Sequence, residues 1–85
     1  MVYWRRFRPE EWDIGYDIDK LEAHGIAEQE AVEVIWNVFV VRRNKKEHGP
    51  DRYQLLGLTD AGRPLKLIVL VLGEREMRVI TGWAL

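Results

Sequence analysis

The stretch LKLIVLVL, residues 65–72, constrains the fold of this chain more than any other feature of its sequence. It is apolar except for Lys66, and it is far too short to cross a bilayer. Ile and Val favour extended backbone, and a strand with apolar side chains on both faces belongs in the interior of a sheet. The stretch is therefore predicted to be the most buried strand of the protein.

Three neighbouring segments have the composition of further strands. They are VFVVRR before a charged loop, RYQLLGL after that loop, and MRVITGW near the end of the sequence. TDAGRP, between RYQLLGL and LKLIVLVL, predicts a turn in which Gly62 adopts a positive φ angle. The second half of the chain thus predicts an antiparallel meander of three or four strands.

The first half of the chain predicts two short helices. Ile14, Ile18 and Leu21 recur at helical spacing, and Gly25 is suited to end that helix. A second apolar stripe follows, formed by Ala31, Val34, Ile35 and Val38. Each stripe needs a partner surface, so we expect both helices to lie against the sheet.

The aromatic N-terminal segment VYWRRFRP predicts an edge strand that ends near Pro9. The order of elements is then strand, helix, helix and three or four strands. This order indicates an α+β fold in which two N-terminal helices pack on one face of a small antiparallel sheet. Residues 1–85 are predicted to form a single domain, because two cores would each be too small.

Composition argues against several kinds of site. The chain has no Cys, and its two His residues are 24 positions apart, so neither a disulfide framework nor a metal centre is indicated. We therefore expect no metal and no other cofactor. The N-terminal sequence is interrupted by charge and is unlike a signal peptide, so we expect a cytoplasmic protein without a membrane segment.

Charge is divided unevenly along the chain. Residues 1–36 contain four Lys/Arg and nine Asp/Glu, whereas residues 37–85 contain nine and five. A polyanion such as RNA would therefore bind the second half. An ordinary solvated surface is the alternative interpretation, since the net charge of the whole chain is only −1.

Five short motifs follow one another along the chain. They are EWD at 11–13, HGI at 24–26, EAVEV at 30–34, LGxTxxGRxL from Leu56 to Leu65, and RVIT at 78–81. In this order the motifs resemble the BrnT family of bacterial toxins, and they span most of the chain. A related family shares the helix pair and the closing VIT strand.

The resemblance to BrnT implies a RelE-like fold and a metal-independent endoribonuclease that inhibits translation. It also implies RNA as the substrate and a BrnA-like antitoxin as the cognate partner, in a dimeric or tetrameric complex. A homodimer of this chain is a further expectation.

The chain departs from the BrnT pattern at three positions where that family has basic residues. Ala23 replaces the Lys of KHG, Leu58 replaces the Arg of IGRT, and Trp83 replaces the Arg of ISAR. Each replacement removes a cation that could stabilise negative charge on a phosphate. The departures therefore weaken the prediction of catalysis.

Metal-free RNA cleavage needs groups that exchange protons and cations that stabilise the phosphate. The motif matches assign these roles to His24, Arg63 and Arg78. Arg52 and Lys66 are predicted to join Arg78 in binding phosphate on the sheet face opposite the helices, if the strand register permits. The alternative is the ordinary polar face of a half-buried sheet.

Other residues are candidates for contacts around this site. The basic cluster VRRNKK is predicted to bind an RNA backbone or an acidic partner through Arg42, Arg43, Lys45 and Lys46. Tyr53 and Trp83 are candidates for stacking on bases, although packing is the commoner role of aromatic residues in small domains. His24 has a competing interpretation, because a histidine before Gly25 also suits the end of a helix.

Two functions of different classes follow. The first is a BrnT-like toxin of a type II toxin–antitoxin system, acting as an endoribonuclease. The second is a catalytically inactive module that binds protein or RNA on the same scaffold. The order of the motifs favours the first function, and the missing cations favour the second.

Overall fold

The computed structural model describes residues 2–43 and 51–85. The strands are β1 (Asp13–Tyr16), β2 (Phe39–Arg43), β3 (Arg52–Leu58), β4 (Pro64–Gly73) and β5 (Glu76–Ala84). The helices are α1 (Ile18–Ala23) and α2 (Glu28–Trp36), preceded by 3₁₀ turns at Trp4–Arg6 and Pro9–Glu11. Neither helix has the length and apolar character needed to cross a membrane, and none other occurs in the described residues.

The five strands form one mixed sheet in the order β1-β5-β4-β3-β2. β2 to β5 form the predicted antiparallel meander, with β4 in the middle of the sheet. β1 pairs with β5 in parallel, so the prediction of a wholly antiparallel sheet was wrong. No hairpin joins β1 to β5, and their relative direction depends on the helices and strands between them.

Both helices pack on one face of this sheet, as predicted. Alternate residues of β4, namely Leu65, Leu67 and Val69, have no exposed surface on that side. The helices and the loop between them cover these residues with Leu21, Ile26, Ala31, Val34 and Ile35, each at most 1% exposed. Burial stabilises the fold by about 25 cal/mol per Å² of apolar surface. The α+β class and the position of the helices are therefore confirmed.

Local interactions set the ends of the helices. Asp17 caps α1 by accepting a hydrogen bond from the Lys20 backbone N–H at 3.2 Å. Gly25 follows α1 with a φ of +73°, a conformation that glycine adopts without a Cβ penalty. α2 ends at Trp36, so Val38 lies beyond it and is 94% exposed. The assignment of Val38 to the helical stripe was wrong.

The N-terminal segment forms two 3₁₀ turns instead of the predicted edge strand. The ring of Trp4 lies 5.3 Å from that of Phe7, 6.0 Å from that of Phe39 and 5.1 Å from that of Tyr53. These contacts pack the turns against Phe39 of β2 and Tyr53 of β3. The edge position is taken by the shorter strand β1.

Gly82 lies where β5 passes very close to β4. A Cβ atom at this position would lie 2.8 Å from Leu67 Cδ2 and 2.8 Å from the Lys66 carbonyl oxygen. We expect Gly82→Ala to lower the free energy of unfolding by about 2 kcal/mol, measured by urea denaturation. Gly15→Ala is the control, because its Cβ would meet only the Arg78 side chain at 3.6 Å. Equal losses in the two variants would contradict this packing.

Candidate nucleic-acid interface

The sheet surface opposite the helices is called the open face here. Side chains alternate between the two sides of a strand, so the neighbours of buried residues project from the other side. On β4, Leu65, Leu67 and Val69 face the helices. Lys66 and Leu70 therefore belong to the open face. The strand register extends this assignment to the residues opposite them on β3 and β5.

Four basic residues belong to the open face, one from each strand of the meander: Arg42, Arg52, Lys66 and Arg78. Arg52 and Arg78 both lie opposite Leu70, so they share one row across three strands. Because adjacent strands are about 4.8 Å apart, the backbones of these two arginines lie roughly 10 Å apart. Arg52, Lys66 and Arg78 were predicted to share a face if the strand register permitted it, and the observed register does.

The basic residues of the open face form no ion pair with a carboxylate in the described residues. The ion pairs found there join Arg63 to Glu30 and Arg75 to Glu11. The Nε atom of Arg52 is buried without a hydrogen-bond partner in the same part of the chain. A buried donor without an acceptor costs about 1–3 kcal/mol.

Apolar side chains lie between these cations. Val40 is 59% exposed, Leu58 is 52% exposed and Trp83 is 41% exposed, whereas Ile68 is only 5% exposed. Trp83 pairs in register with Lys66, and its ring lies 5.4 Å from that of His24. The open face is therefore suited both to an anionic ligand and to a ligand with flat or aliphatic groups.

Arg63 does not belong to the open face. Its Nη1 atom donates to both carboxylate oxygens of Glu30, at 2.8 and 2.9 Å, and to the Gly25 carbonyl oxygen at 3.0 Å. The β3–β4 turn holds Arg63 in place, because its backbone N–H donates to Thr59 Oγ1 at 3.0 Å. These hydrogen bonds of Arg63 hold the β3–β4 turn against the start of α2. Its predicted role in phosphate binding beside Arg78 does not fit this placement.

Glu30 has a structural role at the start of α2. The Ala27 backbone N–H donates to Glu30 Oε1 at 3.1 Å. This hydrogen bond, followed by the one from Arg63, lowers the pKa of Glu30 below its ordinary value. The third residue of α2 is a common position for such a capping carboxylate, although the N-cap residue Ala27 lacks the hydroxyl of a full capping box. The sequence gives no signal for the pairing of Glu30 with Arg63, because 33 residues separate the two.

His24 is the C-cap residue of α1, as the capping interpretation predicts. Its backbone N–H donates to the Leu21 carbonyl oxygen at 3.0 Å, and its exposed ring lies 5.4 Å from the ring of Trp83. His24 therefore lies beside Trp83 near the end of β5, whereas Arg78 lies near the start of that strand, and Arg63 is engaged by Glu30. The predicted catalytic residues His24, Arg63 and Arg78 do not converge on one site.

Tyr53 packs in the core and does not present its ring for stacking on a base. It is only 8% exposed and contacts Trp4, so its predicted stacking role was wrong. Arg43 lies over the Tyr53 ring, with 5.9 Å between the guanidinium carbon and the ring centroid. Arg42 and Arg43 thus project to opposite sides of β2. The other members of their predicted basic cluster, Lys45 and Lys46, lie outside the described residues.

Few other groups in the described residues suit acid–base or metal chemistry. No group of three or more His, Cys, Asp or Glu there is arranged to hold a metal ion. Burial, and secondarily the negative charge of Glu28, raise the pKa of Tyr16 above 10.0. The Tyr16 phenol therefore stays protonated near neutral pH and does not act as a base.

Comparisons with protein-family models, with curated proteins and with solved structures give no match for this chain. Membership in the BrnT family therefore stays a prediction from the five motifs.

The contact between Glu30 and Arg63 predicts a dependence of stability on pH. The lowered pKa of Glu30 means that its contribution is present above the ordinary carboxyl pKa of 4.5 and is lost as the pH falls through the lower folded value. We expect Glu30→Gln to destabilise the protein by about 1 kcal/mol near neutral pH, with a smaller difference from wild type in acid. Urea unfolding across this pH range measures both effects.

Glu22→Gln is the matched control, because the exposed Glu22 side chain forms no such contact in the described residues. Glu22→Gln should show the same difference between the free energies of unfolding at neutral and at acidic pH as wild type does. A Glu30→Gln profile parallel to that of wild type would show that the contact does not stabilise the fold.

Proposed function

We propose that this protein is a BrnT-like toxin with a RelE-like fold that acts on RNA through its open face. The observation that carries the proposal is the presence of Arg42, Arg52, Lys66 and Arg78 on one sheet face without carboxylate partners in residues 2–43 and 51–85. Lys and Arg that lack internal partners are available to replace the counterions of a phosphate backbone.

The fold supports the same proposal. The order of strand, helix, helix and four strands agrees with the order predicted from the sequence pattern, and the helices leave the open face uncovered in the described residues. The proposed setting is the bacterial cytoplasm, where the toxin would inhibit translation. Its proposed partner is a BrnA-like antitoxin, with a homodimer as a further proposed assembly.

On the open face, Arg52 and Arg78 would stabilise negative charge on a phosphate between them, and Trp83 would stack on a base. The proposed endoribonuclease reaction needs no metal. It does need a proton acceptor and a proton donor, but Arg63 is engaged by Glu30, and His24 lies beside Trp83 at the other end of β5 from Arg78. RNA binding is therefore the better supported part of this proposal, and cleavage is the weaker part.

The second candidate is a catalytically inactive module that binds protein or RNA on this scaffold. The engagement of Arg63 by Glu30 favours it, because one of the predicted catalytic cations is already neutralised within the fold. Ala23, Leu58 and Trp83, which replace basic residues of the BrnT pattern, favour it as well.

Induced expression in a bacterial host distinguishes the two candidates. A toxin should arrest growth, cause loss of intact mRNA, and be neutralised by the product of the neighbouring gene. A silent module should accumulate without arrest and without cleavage of mRNA. Primer extension on a defined transcript would locate any cleavage positions.

The open face also predicts how variants bind RNA. We expect the double variant Arg52→Ala, Arg78→Ala to bind a single-stranded oligoribonucleotide about tenfold more weakly. Removal of two phosphate contacts should reduce the slope of log affinity against log salt by about 1.4, which fluorescence anisotropy at several salt concentrations measures.

Arg75→Ala is the matched control, because Arg75 is 60% exposed but lies in the β4–β5 turn beside Glu11. It should keep both the wild-type affinity and the wild-type salt slope. Equal weakening by Arg75→Ala would mean that binding depends on overall charge and not on the open face.

A further inference from the structure

A second surface, separate from the open face, lies beside β2. An open groove of about 780 Å³ runs between the N-terminal turns, the end of α2 and β2. Its walls are mainly apolar and include Trp4, Phe7, Ile35, Trp36, Val38 and Phe39. This groove is called the β2 groove here.

The rim of the β2 groove exposes large apolar side chains. Trp36 is 56% exposed and Val38 is 94% exposed, and the adjacent Val40 is 59% exposed. Trp36 and Val38 line the groove itself, whereas Val40 belongs to the open face next to it. Exposed apolar side chains of this kind beside a groove are characteristic of surfaces that bind another protein.

β2 is also an edge strand of the sheet. In the described residues it pairs with β3 on one side only. Half of its backbone N–H and C=O groups therefore point outward from the sheet, and an edge of this kind can pair with an added strand. Its five residues, Phe39–Arg43, contain no proline, and its two charged residues are both arginines, which oppose pairing with a basic strand but not with an acidic one.

The charged side chains that line the groove or lie in β2 are basic in the described residues. Arg5 is the charged residue among those that line it, and Arg42 and Arg43 end β2 beside it. All three are exposed, and none forms an ion pair in the part of the chain that the structure describes. An occupant with matching chemistry would therefore be acidic as well as apolar.

We propose that the β2 edge and the β2 groove bind an extended segment of a partner protein, in which aliphatic and acidic residues alternate. The segment adds a strand next to β2, places its aliphatic side chains against Trp36 and Val38, and directs its carboxylates to the arginines. This inference does not rest on the proposed function.

The same observations argue against two other occupants. A second copy pairing through β2 would add two more arginines to this edge, and the strand carries no carboxylate to pair with them. RNA would contact the arginines but would leave the outward backbone groups of β2 without the regular partners that a peptide strand provides.

Selection from a random peptide library on the folded protein, followed by hydrogen exchange, tests this proposal. Enriched peptides should alternate aliphatic and acidic residues, and their binding should slow the exchange of alternate backbone amides within residues 39–43. Enrichment of basic peptides, the absence of any enriched peptide, or binding without protection of β2 would overturn it. So would displacement of the selected peptide from this groove by a second copy of the chain.

Substitutions at the exposed Val38 provide a matched pair, because neither change disturbs the core. Val38→Asp should weaken binding of a selected peptide about tenfold, through lost apolar contact and added repulsion. Val38→Lys should weaken it much less. Similar losses of peptide affinity in both Val38 variants would contradict the proposed position. So would a similar loss in the open-face variant Lys66→Glu. Circular dichroism would verify that each variant is folded.

Discussion

Burial of the helix-side face of β4 is the constraint on which the rest of the structure depends. Leu65, Leu67 and Val69 are fully buried there. The helices that cover them contain six and nine residues, and helices this short are not stable alone in water. Helices and sheet therefore stabilise each other. No helix of the described residues packs on the other face of β4. Cations and aliphatic side chains therefore remain partly exposed together on that face.

The features that the sequence predicted well are set by residues close together in the chain. β3 runs from Arg52 to Leu58 as predicted, because its composition and its flanking turns favour a strand. Gly25 ends α1, and Gly62 has a φ of +87° in the β3–β4 turn, because glycine tolerates positive φ. In each case the deciding interaction spans only a few residues, so a single sequence contains enough information to predict it.

The features that the sequence predicted poorly depend on contacts between distant segments. The parallel pairing of β1 with β5 and the contact of Trp4 with Tyr53 are both of this kind. The candidate site likewise combines a feature set by nearby residues with one set by distant residues. Alternation along each strand predicted that Arg78 faces away from the helices, whereas nothing near Arg63 in the sequence indicated that Glu30 would engage it.

β2 contributes to both proposed binding surfaces, since Arg42 belongs to the open face and Arg43 lies over Tyr53 on the helix side. An acidic strand paired with β2 would lie about 4.8 Å away and would bring carboxylates near Arg42. That distance is well inside the Debye length of about 8 Å at physiological ionic strength. The added negative charge would lower the positive potential of the open face. Binding of an acidic strand in the β2 groove therefore opposes binding of a polyanion on the open face, even though the two ligands occupy different surfaces.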